Sequence, residues 1–99
     1  MKYRTKILNL ARNDLKEIRD YLSDFGRMPK FKLRESFGQC ADNISSNPFM
    51  YPEHGENKKY RKAVIQYGYI VFYSVDEDDK TVYVARVLNS KRNVEDMLE

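Results

Sequence analysis

YRKAVIQYGYIVFYSVDEDDKTVYVARVLNSKR, residues 60–92, decides the fold. Its middle run, Tyr69 to Val75, is β-branched or aromatic at nearly every position, which predicts a central strand covered on both faces. The QYG connection at Gly68 separates it from a strand over Tyr60 to Ile65. The polar turn DEDDK, Asp76 to Lys80, separates it from a strand over Thr81 to Leu88. Three strands so joined form an antiparallel meander. Alternation in the last puts Val82, Val84, Arg86 and Leu88 on one face and Tyr83, Ala85 and Val87 on the other.

Arg86 is the exception in that strand. An arginine in an apolar register must reach water, meet a carboxylate or line a cleft that holds an anion, because burying it unpaired is too costly. Two readings follow. One is a structural ion pair with an acid from a covering helix. The other is a basic, aromatic-lined groove shared with Arg61 and Tyr73 on the adjacent strands, about 5 Å apart.

Working towards the N-terminus, the basic run Lys58, Lys59, Arg61 and Lys62, interrupted by Tyr60, opens the first meander strand. It reads as a solvated face or as the border of that groove. The preceding loop, NPFMYPEHGEN over Asn47 to Asn57, is punctuated by Pro and Gly and holds the sole histidine, His54. In an exposed loop His54 is expected to be solvated, with a chemical role as the alternative.

Two amphipathic helices precede the loop. Leu15, Ile18, Leu22 and Phe25 form one helical stripe over about Leu10 to Phe25, with Asn9 or Asn13 as cap and Gly26 at the end. A second helix, entered through Pro29 and ending before Pro48, turns Leu33, Phe37, Cys40, Ala41 and Ile44 inward. Cys40 is therefore expected in the core rather than as a nucleophile. The resulting helical hairpin needs a sheet to cover its apolar faces. Lys2 to Leu8 alternate Tyr3, Thr5 and Ile7 against Lys2, Arg4 and Lys6, as in a half-buried edge strand. Asn93 to Glu99 place Val94, Met97 and Leu98 at helical spacing, a short segment docked on the sheet or ordered by a partner.

With 99 residues the chain is expected to fold as one domain, 1–99, burying about 60 to 65 per cent of its unfolded surface. A net charge of +3 permits contact with nucleic acid without demanding it. One cysteine, no N-terminal apolar segment and no apolar run of about 18 residues predict a reduced, soluble, cytoplasmic protein without membrane contact. No paired Cys or His spacing and no glycine-rich phosphate loop occur, so no metal or other cofactor is expected.

Taken in order, these residues resemble the toxins of the RelE/ParE superfamily, the toxic halves of bacterial type II toxin-antitoxin pairs. Ala11, Asp14, Leu15, Ile18 and Tyr21 match an A-x-x-DL-x-x-I-x-x-Y pattern; Asn47, Pro48, Tyr51 and Pro52 are similar to the loop after the second helix. Arg61, Tyr69, Val71, Tyr73, Val75, Arg86, Val87 and Arg92 match its YR, Y-x-I-x-Y-x-V and I-x-RV-x-x-x-R elements. The resemblance implies an α+β fold of β-α-α-β-β-β-α order, an antiparallel meander covered by a two-helix hairpin. It also implies a cognate antitoxin that wraps the toxin and carries the pair to operator DNA.

Two activities diverge within the superfamily. ParE-like members inhibit DNA gyrase by protein contact; RelE-like members cleave mRNA on the ribosome, which needs a base for the 2′-hydroxyl, cations for the phosphorane and an acid for the leaving oxygen. The resemblance implies partner binding through Lys58, Lys59, Arg61, Tyr73, Arg86 and Arg92; for a nuclease, Arg61 and Arg86, with Lys58 and Lys59, would supply charge, and His54 or Glu53 would have to substitute, from the loop, for the base and acid that relatives carry near the end of the chain. Where many relatives carry a histidine or aromatic residue after the last strand, this chain has Asn89, Ser90, Asn93 and Val94. The reading adopted places gyrase inhibition ahead of mRNA cleavage, with a non-toxic antitoxin-binding, co-repressor module as a third possibility.

Overall fold

A computed structural model describes residues 2–55, 58–91 and 98. Strand β1 (Arg4–Ile7) leads into helices α1 (Asn9–Ser23) and α2 (Arg27–Ser46), followed by β2 (Arg61–Val64), β3 (Tyr69–Asp76) and β4 (Thr81–Asn89). The sheet order is β1-β4-β3-β2, so the meander is as expected and β1 lies at an edge. β1 runs parallel to β4, pairing Arg4 with Thr81 and Ile7 with Val84. A period of two is common to both pairing senses and could not distinguish them.

The helical hairpin covers one face. Ala11, Ile18 and Leu22 of α1 and Leu33, Cys40 and Ile44 of α2 pack on Val71, Tyr73, Val82, Val84 and Val87. On the opposite face Tyr60, Phe72, Leu88 and Leu98 form a smaller cluster. β3 is thus covered on both sides, as its composition requires. Ser45 ties the two ends of the first layer together: its carbonyl accepts from Tyr3 N at 2.9 Å and its hydroxyl donates to Tyr3 O at 2.6 Å.

Three local expectations are corrected. No asparagine side chain caps α1; Leu8 is its N-cap, and Asn9 is already helical. Phe25 lies beyond the helix end and is exposed, its ring edge-on to Tyr21 at 5.3 Å. The simple alternation of β4 also fails. Phe72 faces Arg86 and Tyr73 faces Val84, which leaves Ala85 without a partner. This bulge shifts the alternation by one residue. Val87 therefore joins Val82 and Val84 under the helices, while Leu88 turns to the Phe72 side.

The segment Asn93–Glu99, expected to be helical, lies outside the described residues except for Leu98, which is buried. Among the described residues no helix is long and apolar enough to cross a membrane.

Candidate functional site

Arg86 is held by α1. Its Nε and Nη2 donate to Asp14 Oδ2 and Oδ1 at 2.8 and 2.9 Å, and the Val87 N–H donates to Oδ2 at 3.0 Å. The location follows from the strand lengths. β1 stops opposite Val84, where Leu8 N donates to Val84 O at 3.0 Å, and the chain turns into α1. The next outward-facing β4 amide, that of Val87, would be an open edge. Asp14, one turn along the helix, closes it with a side-chain oxygen. The hydrogen bond to Asp14 raises the guanidinium pKa above its ordinary value against the opposing effect of burial.

Arg61 and Tyr73 are brought together elsewhere, as a registered cross-strand pair of β2 and β3. Arg61 Nη1 donates to Tyr51 O at 2.8 Å, its Cζ lies 5.0 Å from the Phe49 ring centre, and Glu53 is 4.0 Å away. Tyr73 is fully buried, with its hydroxyl donating to Pro48 O at 2.8 Å. It anchors the loop from within the core and has no surface to offer a partner. Burial pushes its phenol pKa up, with the charge of Arg61 opposing the shift. Cys40 is buried beside them, and desolvation raises its thiol pKa to about 11.

The 52–54 segment pairs with the start of β2: His54 N donates to Tyr60 O at 2.8 Å and Lys62 N to Pro52 O at 3.0 Å. This backbone pairing turns His54 inward, contrary to the solvated position expected for it. The imidazole is buried edge-on to Phe72, with ring centres 5.5 Å apart. Lys58 and Lys59 are exposed at the turn, with Lys59 Nζ 5.4 Å from the Tyr60 ring centre. Glu53, His54, Lys58, Lys59 and Arg61 thus belong to one corner, whereas Arg86 has its own partner on α1. Arg92 lies outside the described residues.

The helices contribute a surface that the linear reading passed over. Arg12, Lys16 and Arg19 of α1 and Arg27, Lys30 and Arg34 of α2 line a cleft of about 780 Å³ whose floor includes Leu15, Leu33 and Phe37. Among the described residues no carboxylate lines it. The signal was available in the spacing, since residues at i, i+4, i+7 and at i, i+3, i+7 share a helix flank. A second cleft, of about 400 Å³, lies on the other side of α1, between Glu17, Tyr21, Tyr69, Asn89 and Lys91. Among the described residues, no group of His, Cys, Asp and Glu is arranged to hold a metal ion.

The fold defined by this hairpin and four-stranded sheet is that of known toxin chains. Over 89% of this chain and 96% of the other it resembles a chain of the chromosomal ParDE system from P. aeruginosa, with TM-score 0.73 and 15% identity. A chain of the RelBE2 toxin-antitoxin complex from Mycobacterium tuberculosis aligns over 90% of this chain and 99% of its own, with TM-score 0.63 and 20% identity. For the archaeal RelE-RelB complex from Pyrococcus horikoshii the coverage is 93% and 99%, the TM-score 0.57 and the identity 18%. No curated protein matches the chain in sequence. Residues 6–94 match the family described as ParE toxin of type II toxin-antitoxin system, and the chain belongs to that family.

Proposed function

We propose that this toxin arrests growth by inhibiting DNA gyrase through protein contact, and that a cognate antitoxin neutralises it. The observation that carries the reading is the clamp on Arg86. Its guanidinium already meets a carboxylate through two N–H donors, an arrangement suited to holding α1 on the sheet rather than to stabilising a phosphorane. Tyr73 is sealed in the core. An inhibitor acting by contact needs neither group at its surface.

The cationic cleft between α1 and α2 supports the antitoxin half of the proposal. Six basic side chains around an apolar floor complement an acidic amphipathic segment that folds on binding. Operator DNA would be reached through the antitoxin.

Ribosome-dependent mRNA cleavage is the second reading, favoured by the corner that gathers Glu53, His54, Lys58, Lys59 and Arg61. Labelled thymidine and amino-acid incorporation, followed in the minutes after induction without antitoxin, separates the two. DNA synthesis falls first if gyrase is the target. An earlier fall in translation would reject the gyrase reading and direct attention to His54 and Arg61. Unchanged incorporation with folded protein present would reject both.

A further inference from the structure

From Tyr21 to Lys32, where α1 turns into α2, the hairpin has little cover: Leu22 alone is buried, and Pro29 and Lys30 are half-buried. Tyr21, Phe25, Met28 and Phe31 are nevertheless large and apolar, exposed by 58, 60, 60 and 57%. Core packing accounts for none of these exposures. At about 150–250 Å² per large side chain, the exposed parts of the four sum to on the order of 500 Å²; Tyr21 and Phe25 meet edge-on at 5.3 Å, and Phe31 borders the cationic cleft. Arg27, Lys30 and Lys32 outweigh Asp20 and Asp24 by one positive charge and extend the tip surface towards the roughly 800 Å² per partner of a stable protein interface. Aromatic and methionine side chains beside arginine are also the composition of an interface core.

We infer that the tip of the α1–α2 hairpin is the target-docking surface, and that its partner is an acidic protein face with apolar pockets for Phe25 and Met28. This rests on the gyrase reading above, so the partner is DNA gyrase. The tip adjoins the cationic cleft through Phe31, Arg27 and Lys30, which allows an antitoxin seated in the cleft to block the target without sharing Phe25 or Met28.

The test is supercoiling of relaxed plasmid by purified DNA gyrase in the presence of the wild-type toxin, of Phe25→Ser/Met28→Ser and of Arg27→Glu/Lys30→Glu. Because Phe25 and Met28 are exposed, the first variant keeps the wild-type melting temperature. Its half-inhibitory concentration rises at least tenfold, while its affinity for the antitoxin stays within twofold. The charge-reversed variant also loses inhibition. Wild-type inhibition by the folded serine variant would overturn the tip assignment and leave the gyrase reading standing. Absence of inhibition by the wild type would overturn the gyrase reading and, with it, this proposal. A serine variant that inhibits normally but loses the antitoxin, or loses flotation with phosphatidylglycerol vesicles, would reassign the tip to that partner.

Discussion

Asp14 accepts three hydrogen bonds, two from Arg86 and one from the backbone of Val87. The side chains are only 9% and 15% exposed, which places the pair among buried ion pairs rather than weak surface ones. Removing either partner strands the other, so Arg86→Ala is expected to cost about 3 kcal/mol. For a chain of this size that lowers the melting temperature by roughly 12 to 24 °C. Thermal unfolding of Arg86→Ala, Asp14→Ala and the double variant would check it, with the double less destabilised than the sum. Lost toxicity in Arg86→Ala would therefore not identify a functional arginine. Asp14→Asn/Arg86→Met keeps an acceptor for Val87 N–H and removes both charges; its growth arrest should return with its stability if the pair only holds α1 on β4.

Cys40 gives a second prediction at this scale. Burial holds its pKa at about 11, above the ordinary thiol value of 9.0. Between those values the unfolded chain has released a proton that the folded chain retains, so stability falls as pH rises from about 9 to 11. At about 1.4 kcal/mol per pKa unit the loss is about 2 to 3 kcal/mol. Burial of the Tyr73 phenol adds to it in the same direction at higher pH. Urea midpoints at pH 8 and pH 11 would show the drop, and Cys40→Ala should reduce it, leaving the part due to Tyr73. The same burial makes Cys40 slow to alkylate in the native protein at neutral pH.

At the scale of elements, periodicity located β2, β3 and β4 to within about a residue at most ends, because their apolar runs are bounded by turn residues. It could not show the bulge at Ala85, since a period-2 reading assumes that no residue is inserted. Without that bulge Arg86 and Leu88 fall on the face of Val82 and Val84, whereas they stand opposite Phe72 and Ile70 on the other side of the sheet. The acid that meets Arg86 was legible in principle: Asp14 lies in the buried register of Ala11, Ile18 and Leu22, an anomaly on the helix matching the anomaly on the strand. His54 was misread because its burial comes from backbone pairing to Tyr60, and loop composition carries no record of that.

The β2–β3 connection offers a test of turn chemistry. Tyr67 and Gly68 have φ of 64° and 77°, and Gln66 N donates to Ser36 Oγ at 3.0 Å, fixing the loop to α2. A tyrosine in that left-handed region carries about 1–2 kcal/mol of strain. Tyr67→Gly should relieve part of it and raise stability by about 0.5 to 1 kcal/mol. Gly68→Ala should lower stability by a similar amount, its methyl meeting Ser90 Oγ at 3.5 Å in a strained backbone. Chemical denaturation of the two variants would show shifts of opposite sign.

For the whole molecule, the pairing of β1 with β4 closes the fold between its first and last described strands. Arg4 N donates to Lys80 O at 2.9 Å, and Tyr3 is held by Ser45. Removing residues 2–7 would expose Val82 and Val84 and free the C-terminal turn of α2. The shortened chain should lose the near-ultraviolet dichroism of its tyrosines. Retention of a cooperative thermal transition would show that β1 is dispensable.

That closure also sets when a newly made chain can do harm. At about 5–20 residues per second, β1, α1 and α2 are synthesised seconds before the strand that completes their sheet. Until Asn89 has cleared the ribosome, Asp14 has no Arg86 to hold and α1 has no complete floor. The poison is therefore assembled only once β4 has emerged, leaving an antitoxin already present in the cell an interval in which it meets a chain that is not yet armed.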